Sequence, residues 1–337
     1  MKIRRLRSRA ALLALPLLTP LLSQLAPPAA AQEPRLTNLS TLAPGGTGAN
    51  ILTVGFVIGP GADKRVLIRA IGPTLGTAFK LTGFMADPSL TLINGTGTTV
   101  ATNDNWNAAD AATMTAVGAF ALPANSKDAA IVTTLPSGAY TAQVTGTGVA
   151  LVEVYEVGAT GGKLVNLSTR LQVTPAFSPI IGFVVSPGTG TRRFLARASG
   201  PALATFGLTG TLADPSVTLT KTTGGNTTVA TNNDWGTPAD QSAALGATLT
   251  SAFQQFGAFA FPNGSKDAAV VTDLAAANYG LQVTGAGNTT GLALVEIYDT
   301  TQATPPTVTI AATKATSDES GTDRKSTRLN SSHTDIS

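Results

Sequence analysis

The chain has 337 residues, of which 43% are hydrophobic and 12% are charged, with a formal net charge of +3. It has no cysteine, and its one histidine, His333, lies near the C-terminal end. Elsewhere the chain therefore cannot host a Ser-His-Asp or Cys-His nucleophile system or a histidine-ligated zinc site, which excludes those classes of enzyme.

The positive charge is concentrated at the two ends of the chain. Residues 1–31 carry five basic and no acidic residues, and residues 323–337 carry three basic and two acidic residues. The 14 basic and 17 acidic residues that remain give nucleic-acid binding no electrostatic support. We therefore predict no nucleic-acid partner.

Residues 1–31 have the pattern of a secretory signal peptide. Five cations precede an apolar stretch at residues 10–25, and small residues follow up to Ala31, where we expect cleavage. The alternative is a retained anchor, but Pro16 and Pro20 interrupt the apolar run, and a spanning helix needs about 20 apolar residues. We predict a secreted or cell-surface protein with no membrane span after cleavage.

Two copies of one sequence pattern follow, at residues 35–158 and 164–300. They share motifs in the same order: LTNLST and LVNLST (36–41, 164–169), GFVI and GFVV (55–58, 182–185), LIRAIGP and LARASGP (67–73, 195–201), ADPSLTL and ADPSVTL (86–92, 213–219), TNDNW and TNNDW (102–106, 231–235), SKDAA (126–130, 265–269), and ALVEVY and ALVEIY (150–155, 293–298). The second copy is longer only in stretches that we predict to be surface loops, as expected of a fixed scaffold.

Each copy consists of short runs rich in Val, Ile, Thr and Leu, separated by turn residues, which is typical of strands. On one such run, Ala150, Val152 and Val154 would share one face, while Leu151, Glu153 and Tyr155 would share the other. We predict an all-β protein with two tandem jelly-roll-like β-sandwich domains. Ala-rich stretches at residues 108–116 and 239–253 favour a short helix or loop across one end of each sandwich.

Each copy has an arginine and a glutamate among apolar residues of predicted strands: Arg69 and Glu153, then Arg197 and Glu296. An isolated buried ion is very costly, so we predict a structural Arg–Glu ion pair in each copy. The alternative is a glycosidase-like site, which needs two carboxylates about 5–10 Å apart in a cleft. No carboxylate pair sets one copy apart from the other, and we predict that the protein is not an enzyme.

Each tryptophan follows a cluster of Asn and Asp residues: Asn103, Asp104 and Asn105 before Trp106, and Asn232, Asn233 and Asp234 before Trp235. One interpretation is a ligand-binding loop, in which the tryptophan stacks on a sugar or the oxygen ligands bind calcium. The alternative, which we favour, is an Asx-rich turn whose tryptophan caps the edge of the core. No cofactor is required, and calcium is the one candidate.

The SKD motif that follows invites a Ser–Lys nucleophile. Ser126 and Lys127 are adjacent, however, so on a strand their side chains would point to opposite faces. The same holds for Ser265 and Lys266. We predict a turn that enters a strand.

The segment that runs from ADPSLTL through VATNDNW and SKDAAIVTTLPSGAYTAQVTG to ALVEVYE resembles the bacterial pre-peptidase C-terminal type of β-sandwich. It is also similar to paired exported domains with LSTR, GFVI, IRAxGP, NDxW and GSKDAA signatures. Such modules are accessory parts of larger exported proteins, so the resemblance implies a module rather than a reaction. We expect a non-catalytic adhesion or scaffold pair that contacts extracellular glycan or protein matrix. The alternative is a glycan- or calcium-binding accessory module of an exported enzyme.

A short linker, residues 301–307, leads into a segment at residues 308–322 that resembles the opening strand of a Calx-beta domain. The motif PTVTIAATKATSDESG, at residues 306–321, carries the resemblance. Some members of the family ligate calcium with an early acidic pair, here Asp318 and Glu319. The other ligands of such a site do not follow, so this fragment should not bind metal there.

The final residues, 323–337, begin with DRKSTRLNSSH, which resembles a translated sequencing adapter. We expect this segment to be an artefact with no stable fold and no role, because it has no periodic apolar face to bury. The alternative is an ordinary polar tail.

Overall fold

The computed structural model describes residues 33–48, 51–236 and 245–299, and the backbone of residues 309–312 and 327–330. The predicted signal peptide and the predicted linker lie outside the described residues. So do Asp318 and Glu319. No helix within the described ranges is long and apolar enough to cross a membrane.

Sixteen strands lie within the described ranges 33–48, 51–236 and 245–299, because the Val-, Thr- and Leu-rich runs suit a pleated, half-buried surface. The first repeat contributes β1 Leu36–Gly45, β2 Leu52–Ile58, β3 Lys64–Ile71, β4 Ser89–Asn94, β5 Thr99–Asn103, β6 Ala129–Leu135, β7 Gly138–Thr145 and β8 Gly148–Glu156. The second contributes β9 Leu164–Val173, β10 Ile180–Val185, β11 Arg192–Ser199, β12 Pro215–Lys221, β13 Thr227–Asn232, β14 Ala268–Leu274, β15 Ala277–Gly285 and β16 Gly291–Asp299. The described helices are α1 Pro73–Phe79, α2 Ala111–Ala116 and α3 Leu245–Phe256, with 3-10 turns at Ala108–Asp110, Pro201–Phe206 and Ala286–Asn288.

These strands form two antiparallel sheets of eight. Sheet A has the order β13-β12-β15-β10-β1-β8-β3-β6, and sheet B has the order β14-β11-β16-β9-β2-β7-β4-β5. Within the first repeat, the quartet β1-β8-β3-β6 packs on the quartet β2-β7-β4-β5, which is a jelly-roll arrangement. The second repeat has the same strand order. The prediction of an all-β, jelly-roll-like sandwich is confirmed.

The two jelly rolls share their sheets, a feature that the tandem repeat did not predict. Strand β1 pairs with β10, where Leu39 lies opposite Phe183, and β2 pairs with β9, where Phe56 lies opposite Leu167. Each sheet therefore continues from one repeat into the other. The LxNLST motifs form β1 and β9, and the GFV motifs lie on β2 and β10, so these repeated motifs make the two seams.

A glycine stands at each seam where the facing strand carries a serine at the paired position. A Cβ at Gly55 would stand 2.5 Å from Ser168 Oγ, and a Cβ at Gly182 would stand 2.5 Å from Ser40 Oγ. The glycine of the GFV motif and the serine of the LST motif are thus matched across both seams.

One apolar core fills the space between the sheets and includes both repeats. Phe56 stacks on Tyr140 and Phe183 stacks on Tyr279, each pair with ring centroids 5.4 Å apart. Burial of this kind contributes about 25 cal/mol per Å² of apolar surface. The sandwich therefore rests on a core common to both halves, in a chain without disulfides.

Smaller apolar clusters cover the outer face of each sheet. On β8, Ala150, Val152 and Val154 face the main core, whereas Leu151 and Tyr155 belong to a cluster beneath α1 and α2. A corresponding cluster lies beneath α3 on sheet B. The predicted helices exist, but they cover a sheet face rather than one end of the sandwich, because their apolar residues bury against the outward side chains of the strands.

The backbone of Thr309–Ala312 pairs with that of Thr327–Asn330 in a two-stranded antiparallel sheet. The expectation that residues 323–337 have no stable fold of their own stays a prediction, because this pairing involves only four of these residues. A strand with a free edge has unpaired N–H and C=O groups, and a short extended segment can form hydrogen bonds with them whatever its sequence. A two-stranded ribbon alone is marginally stable in water.

Candidate functional site

The first predicted ion pair is built by two neighbouring strands. Arg69 on β3 lies directly opposite Glu153 on β8, and its Nε donates to Glu153 Oε2 at 2.9 Å. Arg69 Nη1 also donates to the carbonyl oxygen of Phe120 at 2.6 Å, and the Tyr155 hydroxyl donates to Glu153 Oε1 at 2.7 Å. Both charged side chains are buried. The network therefore ties the loop at Phe120 to sheet A.

The environment of this pair keeps Tyr155 protonated. Burial, followed by the charge of Glu153, raises the pKa of the Tyr155 hydroxyl, which stays a donor at neutral pH. The Arg69 guanidinium lies over the Phe120 ring, 4.3 Å from its centroid, a cation–π arrangement. Each charge thus has a compensating partner inside the fold.

The second repeat reproduces the network on sheet B. Arg197 Nε donates to Glu296 Oε2 at 2.7 Å, Arg197 Nη1 donates to the Phe259 carbonyl at 2.6 Å, and the Tyr298 hydroxyl donates to Glu296 Oε1 at 2.7 Å. Four rings surround the Arg197 guanidinium. Their centroids lie at 5.1 Å (Phe253), 4.1 Å (Phe259), 4.8 Å (Phe261) and 5.7 Å (Tyr298). The structure brings both predicted pairs together, in buried positions that a substrate could not reach without opening the loops above them.

The aspartate of each SKD motif anchors the Gly-Pro turn after the neighbouring strand. Asp128 accepts hydrogen bonds from the backbone of Gly72 at 2.7 Å and Thr74 at 3.3 Å, and from Ser126 Oγ at 2.7 Å. Lys127 turns away to pair with Asp87 at the surface. Because the serine donates to an aspartate and the lysine points elsewhere, the motif does not form a Ser–Lys couple.

The same anchor recurs at Asp267, with a measurable electrostatic consequence. This carboxylate accepts from the backbone of Gly200 at 2.7 Å and Ala202 at 3.1 Å and from Ser265 Oγ at 2.6 Å. Burial raises the pKa of Asp267 above its usual value, although these hydrogen bonds and Arg197 lower it in part.

The two tryptophans are fixed by the same serines. Trp106 Nε1 donates to Ser126 Oγ and Trp235 Nε1 donates to Ser265 Oγ, both at 3.1 Å. Trp235 is only 6% exposed and lies 5.7 Å from the Phe253 ring centroid. It therefore has no open face for a sugar, while Trp106 is half-buried over the outer cluster of sheet A.

The first asparagine of each cluster, Asn103 or Asn232, forms hydrogen bonds with backbone groups. Asn103 Oδ1 accepts from Ala130 N, and Asn232 Oδ1 accepts from Ala269 N, both at 2.9 Å. Each Nδ2 donates within its own turn, to the carbonyl of Asn105 at 3.0 Å and of Asp234 at 3.3 Å. These hydrogen bonds are typical of an Asx-rich turn. They hold the end of β5 against the start of β6, and the end of β13 against the start of β14.

The other members of these loops are more accessible. Asp104 and Asn105 are exposed, and Asn233 and Asp234 are half-buried. Within the described ranges, no three His, Cys, Asp or Glu side chains converge as a group that could hold a metal ion.

Two further charged groups were missed by sequence reasoning. Glu156 pairs with Arg35 at 3.0 Å and Lys64 at 3.2 Å, and Asp299 pairs with Arg192. All are buried at the ends of strands. The available signal was positional, since Lys64 and Arg192, like Glu156 and Asp299, occupy equivalent places in the two repeats.

Comparisons with known proteins add little to this geometry. No family model matches the chain, and no curated protein matches it. A match among solved structures is titled "Crystal Structure of the STIV MCP"; it has 11% identity, covers 80% of this chain and 96% of that chain, and has a TM-score of 0.22. That similarity is too weak to support any conclusion about fold or function.

Proposed function

We propose that this chain is a non-catalytic module pair of an exported protein, with an adhesion or scaffold role at the cell surface. The observation that supports this proposal is that the motifs shared by the two repeats form contacts inside the fold. Their charged and aromatic side chains, such as Arg69, Glu153, Asp128 and Trp235, hydrogen-bond inside the fold. The residues that both repeats share thus stabilise the fold, as expected of a module that functions by presenting a surface.

The positions of the described ends favour presentation over simple spacing. Arg192 Nη1 contacts Glu33 at 2.7 Å, and Arg192 Nε contacts Asp299. The chain therefore enters and leaves the sandwich at one place. A module with adjacent ends projects to the side of the longer polypeptide and adds little to its length, which suits a surface that meets a partner.

The test is an in-frame deletion of residues 33–299 from the gene in its host, which the adjacent ends permit. We expect the rest of the protein to be exported as before, while attachment of the cells to glycan-coated or matrix-coated surfaces falls. Unchanged attachment, or turnover of a polysaccharide or peptide by the purified chain, would contradict the proposal.

The accessory-module alternative is tested on the purified chain by calcium titration and glycan arrays. Asp104→Ala removes an exposed carboxylate of the first Asx loop, and Arg193→Ala at an unrelated exposed site is the control. Calcium or glycan binding that is lost only in Asp104→Ala would favour the alternative.

A further inference from the structure

Arg170 occupies a position that the fold itself does not require to be charged. It lies on β9, between Leu294 of β16 and Thr53 of β2, and its side chain is on the outer face of sheet B because Leu171 and Val173 face the core. Its counterpart in the first repeat is Leu42, which packs against the outer cluster of sheet A. The same architecture thus accepts an apolar residue here.

Arg170 is half-buried and, unlike the four buried arginines, has no partner among the described residues. Arg35, Arg69, Arg192 and Arg197 each pair with a carboxylate. In the part of the chain that the structure describes, no carboxylate and no hydrogen-bond acceptor contacts the Arg170 guanidinium, and burial lowers its pKa. Partial burial of a cation without a partner is unfavourable, so the position would gain from an anion supplied from outside.

A cavity of about 470 Å³ lies beside Arg170 at the seam of the two repeats. Its apolar lining includes Pro44, Ile51 and Leu292, while Thr47, Thr147 and Gln172 add uncharged hydrogen-bonding groups. The volume falls within the range of roughly 300–1,000 Å³ that is usual for small-molecule sites. An apolar lining, three neutral polar side chains and a single cation fit an organic anion of charge −1.

We propose that this seam cavity binds a small hydroxylated monocarboxylate, of the acidic-sugar type, whose carboxylate pairs with Arg170. Arginine suits this role because its planar fork donates two parallel hydrogen bonds to a carboxylate. Thr47, Thr147 and Gln172 bind the hydroxyl groups, and the apolar lining at Ile51 and Leu292 contacts the apolar face of the ring. The site stands apart from the adhesion or scaffold role, which does not depend on it.

The test measures binding of glucuronate to the full chain by calorimetry and by the NMR signal of the arginine Nε–H groups. Glucose and the methyl ester of glucuronate are the neutral controls. Arg170→Leu reproduces Leu42 of the other repeat, so the fold should accept it. Arg193→Leu removes one positive charge from an exposed site on β11 and is the matched control.

We expect saturable glucuronate binding that Arg170→Leu weakens at least about tenfold, the effect of losing a charge-assisted pair of about 1.4 kcal/mol or more. Arg193→Leu should leave the affinity unchanged, and neither neutral control should bind. We also expect Arg170→Leu to melt at a higher temperature than the parent without ligand, since it removes an unpaired, partly buried charge.

Three outcomes would overturn the proposal. They are the absence of saturable glucuronate binding, equal losses in Arg170→Leu and Arg193→Leu, and binding of inorganic phosphate or of an N-acetylated peptide carboxylate in preference to glucuronate. If Arg170→Leu fails to fold, Arg170→Lys keeps the charge but loses the two-pronged geometry. Weakened glucuronate binding in Arg170→Lys supports the site, and unchanged binding refutes the paired geometry.

Discussion

Arg69 and Arg197 each have two structural roles. Each neutralises a buried glutamate on the next strand and also donates to the carbonyl of a loop residue, Phe120 or Phe259, more than fifty residues away along the chain. A buried backbone carbonyl without a partner would be costly, so the same guanidinium that satisfies the sheet also fixes the loop. This explains why a charged residue persists in two apolar strands.

Removing one member of the buried pair should destabilise the protein strongly. Arg69→Met leaves Glu153 as an uncompensated buried carboxylate, and we expect the free energy of unfolding to fall by about 3–5 kcal/mol. The double variant Arg69→Met/Glu153→Leu should lose less than Arg69→Met alone. Denaturant unfolding of the three variants and the parent measures both values in one double-mutant cycle.

The exposed pair Arg193 and Asp273 is the control for that cycle. Because both side chains are in water, Arg193→Ala should change the stability by less than about 1 kcal/mol. Similar losses in Arg69→Met and Arg193→Ala would show that burial does not set the strength of these pairs.

The pKa values of two aspartates, Asp267 just before β14 and Asp273 near its end, should shift in opposite directions. Burial raises the pKa of Asp267, whereas the hydrogen bond from Arg193 lowers the pKa of Asp273. The folded state thus holds the Asp267 proton more tightly than the unfolded chain, so the contribution of Asp267 to stability declines as the pH rises from below 3.8 through its raised pKa. The contribution of Asp273 is present above 3.8 and is lost as the pH falls through its lowered pKa.

Carbon-13 NMR of the side-chain carboxyl groups measures both values in one titration. We expect the Asp267 midpoint above, and the Asp273 midpoint below, that of aspartate in an unfolded peptide. The reverse order would mean that the hydrogen bonds from Gly200, Ala202 and Ser265 outweigh burial at Asp267.

The arginine pairs were predictable from the sequence for a definite reason. A charge set among alternating apolar residues must be neutralised, and Arg69 and Glu153 were the charged residues available on such runs. The Asx–Trp loops could not be assigned in the same way. Asn103 and Trp106 have the composition of either a turn or a ligand site, and the difference lies in a serine twenty residues further along the chain, Ser126, which the local pattern does not reveal.

At the scale of elements, the Gly-Pro turn after β3 and after β11 is where loop, helix and sheet meet. Pro73 and Pro201 start the helical turn with a fixed φ, and Gly72 and Gly200 bring the backbone close to the next connection. A Cβ on Gly72 would collide with the carbonyl oxygen of Met85. The backbone N–H of each glycine also donates to the aspartate of an SKD motif. The turn therefore cannot shift without breaking this hydrogen bond.

We therefore expect Gly72→Ala to lower the free energy of unfolding by about 1–3 kcal/mol, the usual cost of overpacking. Gly95→Ala is the control, because its Cβ would meet the Ala139 carbonyl at an ordinary 3.4 Å. Thermal and denaturant unfolding compare the two variants with the parent. A Gly72→Ala protein as stable as Gly95→Ala would show that the connection through Met85 adjusts freely.

The seams show what sequence periodicity does not report. Alternation on β1 and β2 indicates which side chains face the core, but a strand at the edge of an isolated jelly roll and one paired with the other repeat have the same alternation. The matched Gly55 and Ser168 carried the information, since a glycine inside a strand marks a close approach of another backbone. Recognising that approach required knowing which strand stood opposite.

At the scale of the whole molecule, the two repeats have a pseudo-twofold arrangement. The two junctions between the repeats are therefore equivalent. Leu164 N, at the start of β9, donates to Glu156 Oε1 at the end of β8 at 2.7 Å. Leu36 N, at the start of β1, donates to Asp299 Oδ2 at the end of β16 at 2.9 Å. The first junction is covalent through residues 157–163, whereas the second is held by non-covalent contacts such as this hydrogen bond.

A circular permutant should therefore fold to the same sandwich. It would run from Lys163 to Asp299, continue through a copy of residues 157–162, and then run from Arg35 to Glu156, so that the covalent and non-covalent junctions exchange places. We expect a single cooperative unfolding transition at a midpoint close to that of residues 33–299 in the parent order, because both seams and the common core are preserved. Circular dichroism and calorimetry of the two proteins make the comparison. Two separate transitions, or a permutant that remains unfolded, would mean that the repeats are not equivalent and that the connection through residues 157–163 is required for the seams to form.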